Sequence, residues 1–365
     1  KGAVRLPIQV YFELPLVKAW IGNSPALTFL LDLGLPYSII DQSIATQLGL
    51  APAGQIRRST RYLGSEFSLV RIPSLLLREV EFKDRVFLVT NMIPPSANVQ
   101  LPIHGVIGND LFTQDVVQLD MAAEQLRLFS PKAFSPGGDA KKIMLQYQDE
   151  RLMVPASVDG VDSWLELTSA CGDSVMFAAN SPTAQALAQR TTAGMDGVSL
   201  GLMYGIPERI LRIGALSLDG LVIPSPLAHL VQFPADNPLS RRPAGWLGTG
   251  ILRRFTVSLD FTQNALYLEP PANPAGPDCY NATGLYVIKN SGEVIVQQVI
   301  KGSPADKAGI MPGDKLAGIH GYPAEQVLFD RLYEFLCLNN GDSVKLKIRH
   351  EGTDREITLT RETKF

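Results

Sequence analysis

The chain has 365 residues, 45% of them hydrophobic, and its 33 basic and 36 acidic side chains leave a net charge of -3 at pH 7. That length exceeds one ordinary core and implies two or three domains. The even balance, free of any block of like charge, argues against a nucleic-acid partner or an anionic-membrane anchor.

With 31 glycines and 26 prolines and few long helical patterns, short strands joined by turns are expected, a mostly β chain. Apolar strand candidates at 8–12 and 16–21 lead through the turn Gly22-Asn23-Ser24-Pro25 into Phe29-Leu30-Leu31-Asp32-Leu33-Gly34. Phe29-Leu30-Leu31 reads as a strand buried on both faces that ends on a carboxylate, and Gly34 permits a tight turn close to other backbone. A short helix follows, capped by Asp41, with Ile44 and Leu48 on its apolar side and Gly49 ending it. Residues 57–73 read as a hairpin with its tip near Tyr62-Leu63-Gly64-Ser65, and 75–90 as further strands. Next come Gly105-Val106-Ile107-Gly108-Asn109-Asp110, strands at 116–120 and 125–129, and a linker over 131–139.

The series then repeats, which is the self-similarity to settle before choosing a fold. Gly105-Val106-Ile107-Gly108 matches Gly245-Trp246-Leu247-Gly248, Leu119-Asp120 matches Leu259-Asp260, and Leu126 and Leu128 match Leu266 and Leu268, all displaced by 140. Val70-Arg71-Ile72 matches Leu211-Arg212-Ile213, displaced by 141. Trp164-Leu165-Glu166-Leu167-Thr168 partners the opening stretch, with Glu166 lying 134 residues beyond Asp32. A short helix again follows, with Ser181-Pro182 as cap and first-turn proline. Two copies, each carrying an acid-bearing turn, imply a pseudo-twofold arrangement that brings the turns together at the lobe interface.

This pattern resembles the retropepsin and pepsin-like aspartic proteases, in the bacterial single-chain form with two lobes and a trailing PDZ domain. In that family each lobe supplies Asp-Thr-Gly or Asp-Ser-Gly after an apolar strand, with a hydrophobic-hydrophobic-glycine stretch packed beneath it. Asp32-Leu33-Gly34 with Val106-Ile107-Gly108 matches the first lobe, and Glu166-Leu167-Thr168 with Trp246-Leu247-Gly248 the second. On this alignment Leu33 and Leu167 replace the hydroxyl residue of an interlobe hydrogen-bond lattice, Glu166 replaces the second aspartate, and Thr168 replaces the second glycine. The resemblance implies that Asp32 and Glu166 are the catalytic pair and that Gly34, Tyr62, Gly64 and Tyr204 line the substrate cleft. The hairpin tip would be a flap, with Gly201-Leu202-Met203-Tyr204-Gly205 as its counterpart. Two carboxyls a few ångströms apart share one proton, so one acts as base toward water and the other as acid toward the peptide carbonyl.

After a proline-rich linker over 269–279, Gly284-Leu285-Tyr286-Val287, Gly302-Ser303-Pro304-Ala305, Gly313-Asp314 and Gly341-Asp342 resemble a bacterial PDZ domain. Leu328, Leu332, Phe335 and Leu336 lie at helical spacing, so a helix over 323–338 is expected to wall its groove. A PDZ domain adds a peptide end as a strand, and here Gly284, Leu285, Tyr286, Val287 and Leu328 would bind it. A structural cap on the body is the other reading of this domain.

Other signals are set aside. Cys171, Cys279 and Cys337 are odd in number and widely spaced, which favours neither a disulfide framework nor a zinc cluster, and Cys171 reads as a buried thiol. His104, His229, His320 and His350 have no second ligand at metal-like spacing, so neither a metal nor another cofactor is expected. Gly248-Thr249-Gly250 begins a dinucleotide pattern that Arg253 breaks. Asn281-Ala282-Thr283 fits the short glycosylation pattern. No apolar run reaches the length of a membrane span, and the opening Lys1-Gly2 is read as a processed or trimmed start.

The expected fold is an all-β, bilobal body of two pseudo-twofold related β-barrel lobes at 1–132 and 141–272, plus a small α+β PDZ domain at 280–365. The expected function is peptide hydrolysis by carboxylate-activated water where the Asp32/Glu166 pair is competent. The alternative is a catalytically inactive homologue that binds peptides through the cleft or the PDZ groove. The partner is a polypeptide in either case, and the resemblance implies a periplasmic or cell-surface location.

Overall fold

The computed structural model describes residues 3–360 apart from 58–65, 93–95, 98, 192, 201, 203, 243, 272–275, 277, 279 and 338–341. The first lobe is an eight-stranded sheet in the order Gln9–Tyr11, Leu14–Ile21, Leu27–Leu31, Gly105–Ile107, Ile39–Asp41, Val80–Thr90, Glu66–Leu77, Ala51–Arg57. The second lobe repeats that order with Gln146–Gln148, Arg151–Val158, Val161–Leu167, Gly245–Leu247, Val175–Ala178, Leu227–Val231, Pro207–Arg212 and Met195–Val198. It adds the hairpin Ala215–Leu218 and Leu221–Pro224 on the far side of Arg151–Val158. The duplication read from the sequence is therefore a duplication of topology.

A six-stranded sheet ties the lobes together, running Val4–Pro7, Gln125–Phe129, Val116–Asp120, Thr256–Asp260, Ala265–Glu269, Lys141–Met144. At its centre Val116–Asp120 pairs antiparallel with Thr256–Asp260, and Gln118 lies opposite Ser258, its own equivalent 140 residues later. Gln118 Nε2 donates to Ser258 Oγ at 3.0 Å. A residue that pairs with its own repeat marks the pseudo-twofold axis. Leu31, Leu33, Leu119, Leu165, Leu167 and Leu259 from both lobes share one apolar core.

Local elements follow their sequence signals. All five residues of Leu27–Leu31 are buried; Phe29 and Leu31 enter the shared core while Leu30 enters a second cluster on the opposite face. Asp41 caps the helix Gln42–Gln47 by accepting from the amides of Ser43 and Ile44, and Ser181 caps Pro182–Arg190 by accepting from Ala184 N. The arms of the first-lobe hairpin are Ala51–Arg57 and Glu66–Leu77, paired from Ala51↔Arg71 to Arg57↔Glu66. Its expected tip, with Tyr62 and Gly64, lies outside the described residues.

The C-terminal sheet runs Leu285–Asn290, Glu293–Val299, Lys315–Ile319, Ser343–His350, Thr353–Thr360, with Tyr322–Pro323 beside Lys315–Ile319. The helix expected over 323–338 is shorter. Ala324–Gln326 forms a 3-10 turn, Val327 and Leu328 are extended, and only Phe329–Leu336 is α-helical. The helical spacing of Leu332, Phe335 and Leu336 is real, but Leu328 belongs to the lead-in and is 67% exposed. The Asn281 amide is buried and donates to Leu285 O at 2.7 Å, so the glycosylation pattern is a turn lock and not an acceptor.

Candidate active site

The turn at Asp32 forms where the strand Leu27–Leu31 runs out of parallel pairing with Gly105–Ile107. Leu31 lies opposite Ile107, Asp32 N donates to Ile107 O at 2.9 Å, and Leu35 N closes the turn on Asp32 O at 3.0 Å. Asn109 holds it from below, its N donating to Leu35 O and its Nδ2 to Leu33 O. Gly108 must be glycine there, because a Cβ would sit 2.6 Å from Tyr37 O and 2.7 Å from Leu35 O.

The second lobe repeats this geometry two residues later than the sequence alignment placed it. Leu167 lies opposite Leu247, and Thr168 N donates to Leu247 O at 3.0 Å. Leu31 therefore corresponds to Leu167, Asp32 to Thr168, Leu33 to Ser169 and Gly34 to Ala170. Glu166 corresponds to Leu30, inside the strand. Its neighbours Leu165 and Leu167 enter the shared core, so the alternation of a strand turns Glu166 to the other face. There its Oε2 is 2.6 Å from Arg242 Nη1, in an ion pair whose side chains are 6% and 8% exposed.

The two turns meet directly. Asp32 is fully buried, and its Oδ1 accepts from Gly34 N at 3.1 Å, from Thr168 Oγ1 at 3.2 Å and from Ser169 N at 3.2 Å. Ser169 Oγ donates across the interface to Leu31 O at 2.8 Å and accepts from Leu33 N at 2.9 Å. The interlobe lattice expected from the resemblance thus survives as its second-lobe half. Leu33, which takes the matching place in the first lobe, packs in the core. Gly34 is required by the approach of the other lobe, since a Cβ on it would stand 1.7 Å from Leu167 O.

Three readings of the sequence change accordingly. The residue facing Asp32 is Thr168, not Glu166; the hydroxyl thought lost from the second lobe is Ser169; and Thr168 does not stand in the glycine's place. An acid after an apolar run marks the turn in the first lobe, whereas in the second lobe the strand ends level with the first, at Leu167, and its acid Glu166 lies inside it. Aligning the last apolar strand residue, Leu31 with Leu167, would have found Thr168. Arg242 carried no sequence signal.

Tyr204 is not at Asp32 but against the C-terminal domain. Among the described residues, Leu285–Asn290 is an edge strand paired only with Glu293–Val299. On its open side Val287 N donates to Tyr333 Oη at 3.1 Å, and Val287 O lies 2.8 Å from Tyr333 Oη and 3.1 Å from Tyr204 Oη. Burial pushes the Tyr204 phenol up to about 12. Tyr286 Oη accepts from Val198 N at 3.1 Å, tying the second-lobe strand Met195–Val198 to the same domain. Phe12 reaches in from the first lobe, its ring 5.7 Å from Phe329 and 5.6 Å from Tyr333. Gly284 adopts φ +70 and accepts from Ile300 N, so Gly284, Leu285, Tyr286 and Val287 stand together at the start of the edge strand, whereas Leu328 faces solvent.

Elsewhere, Asp173, Glu208 and His229 converge. Burial opposes charging the His229 ring, but the carboxylates of Asp173 and Glu208 outweigh it and push its pKa up to about 10. Cys171 is half-buried, its Sγ 3.7 Å from Asp173 Oδ2.

Residues 17–111 match the family model for aspartyl proteases, and residues 282–360 match the model for PDZ domains. The carboxy-terminal processing protease CtpA of Bacillus subtilis (strain 168) is 28% identical over 85 residues, which span 23% of this chain and 18% of that protein. The crystal structure of an aspartic proteinase from Irpex lacteus superposes with a TM-score of 0.49 at 11% identity, covering 74% of this chain and 98% of that one. None of the described helices is long and apolar enough to cross a membrane. With two topologically equivalent β lobes meeting at Asp32 and a domain of PDZ type behind them, the chain is an aspartic-protease-like protein with a C-terminal PDZ domain.

Proposed function

We propose that this protein binds polypeptides without hydrolysing them by the paired-carboxylate route. The observation that carries the reading is that Thr168 hydrogen-bonds Asp32 across the lobe interface while Glu166 is held by Arg242. Carboxylate-activated hydrolysis needs a second group that shares a proton with the first and delivers it to the carbonyl oxygen. A threonine hydroxyl donates a hydrogen bond but gives up its proton far too reluctantly for that exchange. Asp32 is also fully buried, with its Oδ1 taken by three donors.

Peptide capture falls to the open edge of Leu285–Asn290, where main-chain pairing supplies affinity for an extended segment. Tyr333 holds Val287 N and O and Tyr204 shares Val287 O and bonds the Tyr333 hydroxyl, so a peptide enters by displacing both phenols, and loss of Tyr204 frees Tyr333 to move aside.

The test has two arms. Denatured casein is incubated with the wild type and with Asp32→Asn from acidic to neutral pH, and cleavage is expected from neither. A fluorescent peptide with an apolar free C-terminus is titrated against the full chain and against Tyr204→Ala, which is expected to bind more tightly. Cleavage lost in Asp32→Asn would restore the hydrolytic reading, and binding absent from both proteins would leave the PDZ domain a structural cap.

A further inference from the structure

We infer that Asp173, Glu208 and His229 form a binding site for one divalent transition-metal ion of the zinc class. The three side chains come from separate parts of the second lobe: the segment after the Thr168 turn, the strand Pro207–Arg212 and the strand Leu227–Val231. Glu208 and His229 are buried, and Asp173 keeps 24% of its side chain exposed, which gives an ion a way in.

The geometry fits a metal site as well as it fits an ion pair. Both carboxylates aim at the same ring nitrogen, with His229 Nδ1 3.1 Å from Glu208 Oε2 and 3.6 Å from Asp173 Oδ1. One N–H satisfies one acceptor well, and 3.6 Å is beyond hydrogen-bond reach. Zinc bonds of about 2.0–2.1 Å to nitrogen and oxygen place tetrahedral ligand atoms roughly 3.3–3.4 Å apart. The two observed separations bracket that edge. An ion there would displace the proton on Nδ1, leaving a neutral imidazole, two carboxylates and an open fourth position for water.

Charge points the same way. Two acidic side chains stand around one imidazole, and a divalent ion balances the charge of both carboxylates with the imidazole neutral. The nearby guanidinium groups have carboxylates of their own: Arg254 Nη2 is 2.5 Å from Asp278 Oδ1, and Arg253 Nε is 3.1 Å from Glu13 Oε1. One imidazole and two carboxylates suit zinc or manganese better than calcium, which takes six to eight oxygen ligands. Topology assembles the set, since residues 173, 208 and 229 are too far apart in sequence for any ligand spacing to reveal them.

The test uses the full chain, stripped with a chelator and titrated with Zn²⁺ by calorimetry, with bound metal counted by elemental analysis. One equivalent is expected, together with a rise in the thermal midpoint that excess Mg²⁺ does not reproduce. Glu208→Gln and His229→Gln are expected to weaken binding about tenfold or more. Asp173→Asn, at the solvent-facing corner, should do the same with the fold intact by circular dichroism. Failure to take up stoichiometric zinc, or uptake that survives these substitutions, would overturn the inference and leave a buried ion pair only.

Discussion

Ser169→Ala isolates the contact that joins the two turns. The substitution removes one hydroxyl and leaves the Ser169 amide, which donates to Asp32, in place. It deletes the bond to Leu31 O and the bond from Leu33 N, both buried. Each orphaned backbone group costs about 1–3 kcal/mol, so the pair predicts a loss of roughly 2–6 kcal/mol. That is a large share of the 5–15 kcal/mol typical of a folded domain. Urea unfolding followed by tryptophan fluorescence reads the loss, since Trp246 lies buried beside Leu247, whose O accepts from Thr168 N of that turn. The midpoint should fall at an unchanged slope, which marks a change in stability and not in the surface exposed. A loss below about 1 kcal/mol would mean that the lobes are held together elsewhere and that the Ser169 lattice is incidental.

Other substitutions probe neighbouring links. Gly34→Ala places a Cβ 1.7 Å from Leu167 O, and because both partners are backbone the lobes must part; poor soluble yield or a molten state is expected in near-UV circular dichroism. Arg242→Met leaves Glu166 charged and buried, a change worth about 3–5 kcal/mol, while the double variant Arg242→Met/Glu166→Leu should recover most of it in the same urea assay. Thr168→Asp sets a second carboxyl against Asp32, so the variant should unfold more easily at neutral than at acidic pH, because like charges raise the proton affinity of the pair. Burial pushes Asp110 up to about 6 against the hydrogen bond from Ser38. A raised carboxyl binds its proton more tightly when folded, so its contribution is full below the unfolded pKa near 4 and is lost as pH rises through about 6. Asp110→Asn should flatten that slope and gain roughly 1–2 kcal/mol at pH 7, after discounting for the partial exposure of the side chain.

The sequence made the topology readable because β topology here is carried by short apolar blocks and glycines whose spacing the duplication preserves. Gly105 and Gly245 each stand where a Cβ would strike a phenylalanine ring, Phe29 at 2.4 Å and Phe177 at 2.3 Å, so both lobes keep the glycine and the offset of 140 survives. The place of the acid along its strand has no such anchor. Val161–Leu167 ends level with Leu27–Leu31, at Leu167 and Leu31, but its acid lies one residue before that end instead of one after it, and a slip of two keeps every side chain on its own face. Glu166 therefore sat plausibly in an alignment that was wrong by two. Periodicity could not expose the slip; only the hydrogen bond from Thr168 N to Leu247 O, matching that from Asp32 N to Ile107 O, did so.

The asymmetry of the two turns has a physical consequence. In a symmetric pair each lobe would present a carboxylate and a hydroxyl, and each hydroxyl would grip the opposite backbone. In this chain the first lobe keeps the carboxylate, Asp32, and the second keeps the hydroxyl, Ser169, so one full set of groups is divided between two half-sites. Leu33 replaces the first lobe's hydroxyl with apolar burial, and Thr168 replaces the second lobe's carboxylate with a single donor to Asp32. Both changes leave the interface satisfied: the lone carboxylate has donors, the lone serine has a donor and an acceptor, and no second buried charge has to be neutralised. On the proposed reading, the seam that would carry a shared proton serves as a structural joint. Ser169→Ala tests its strength, and casein cleavage tests whether chemistry persists there.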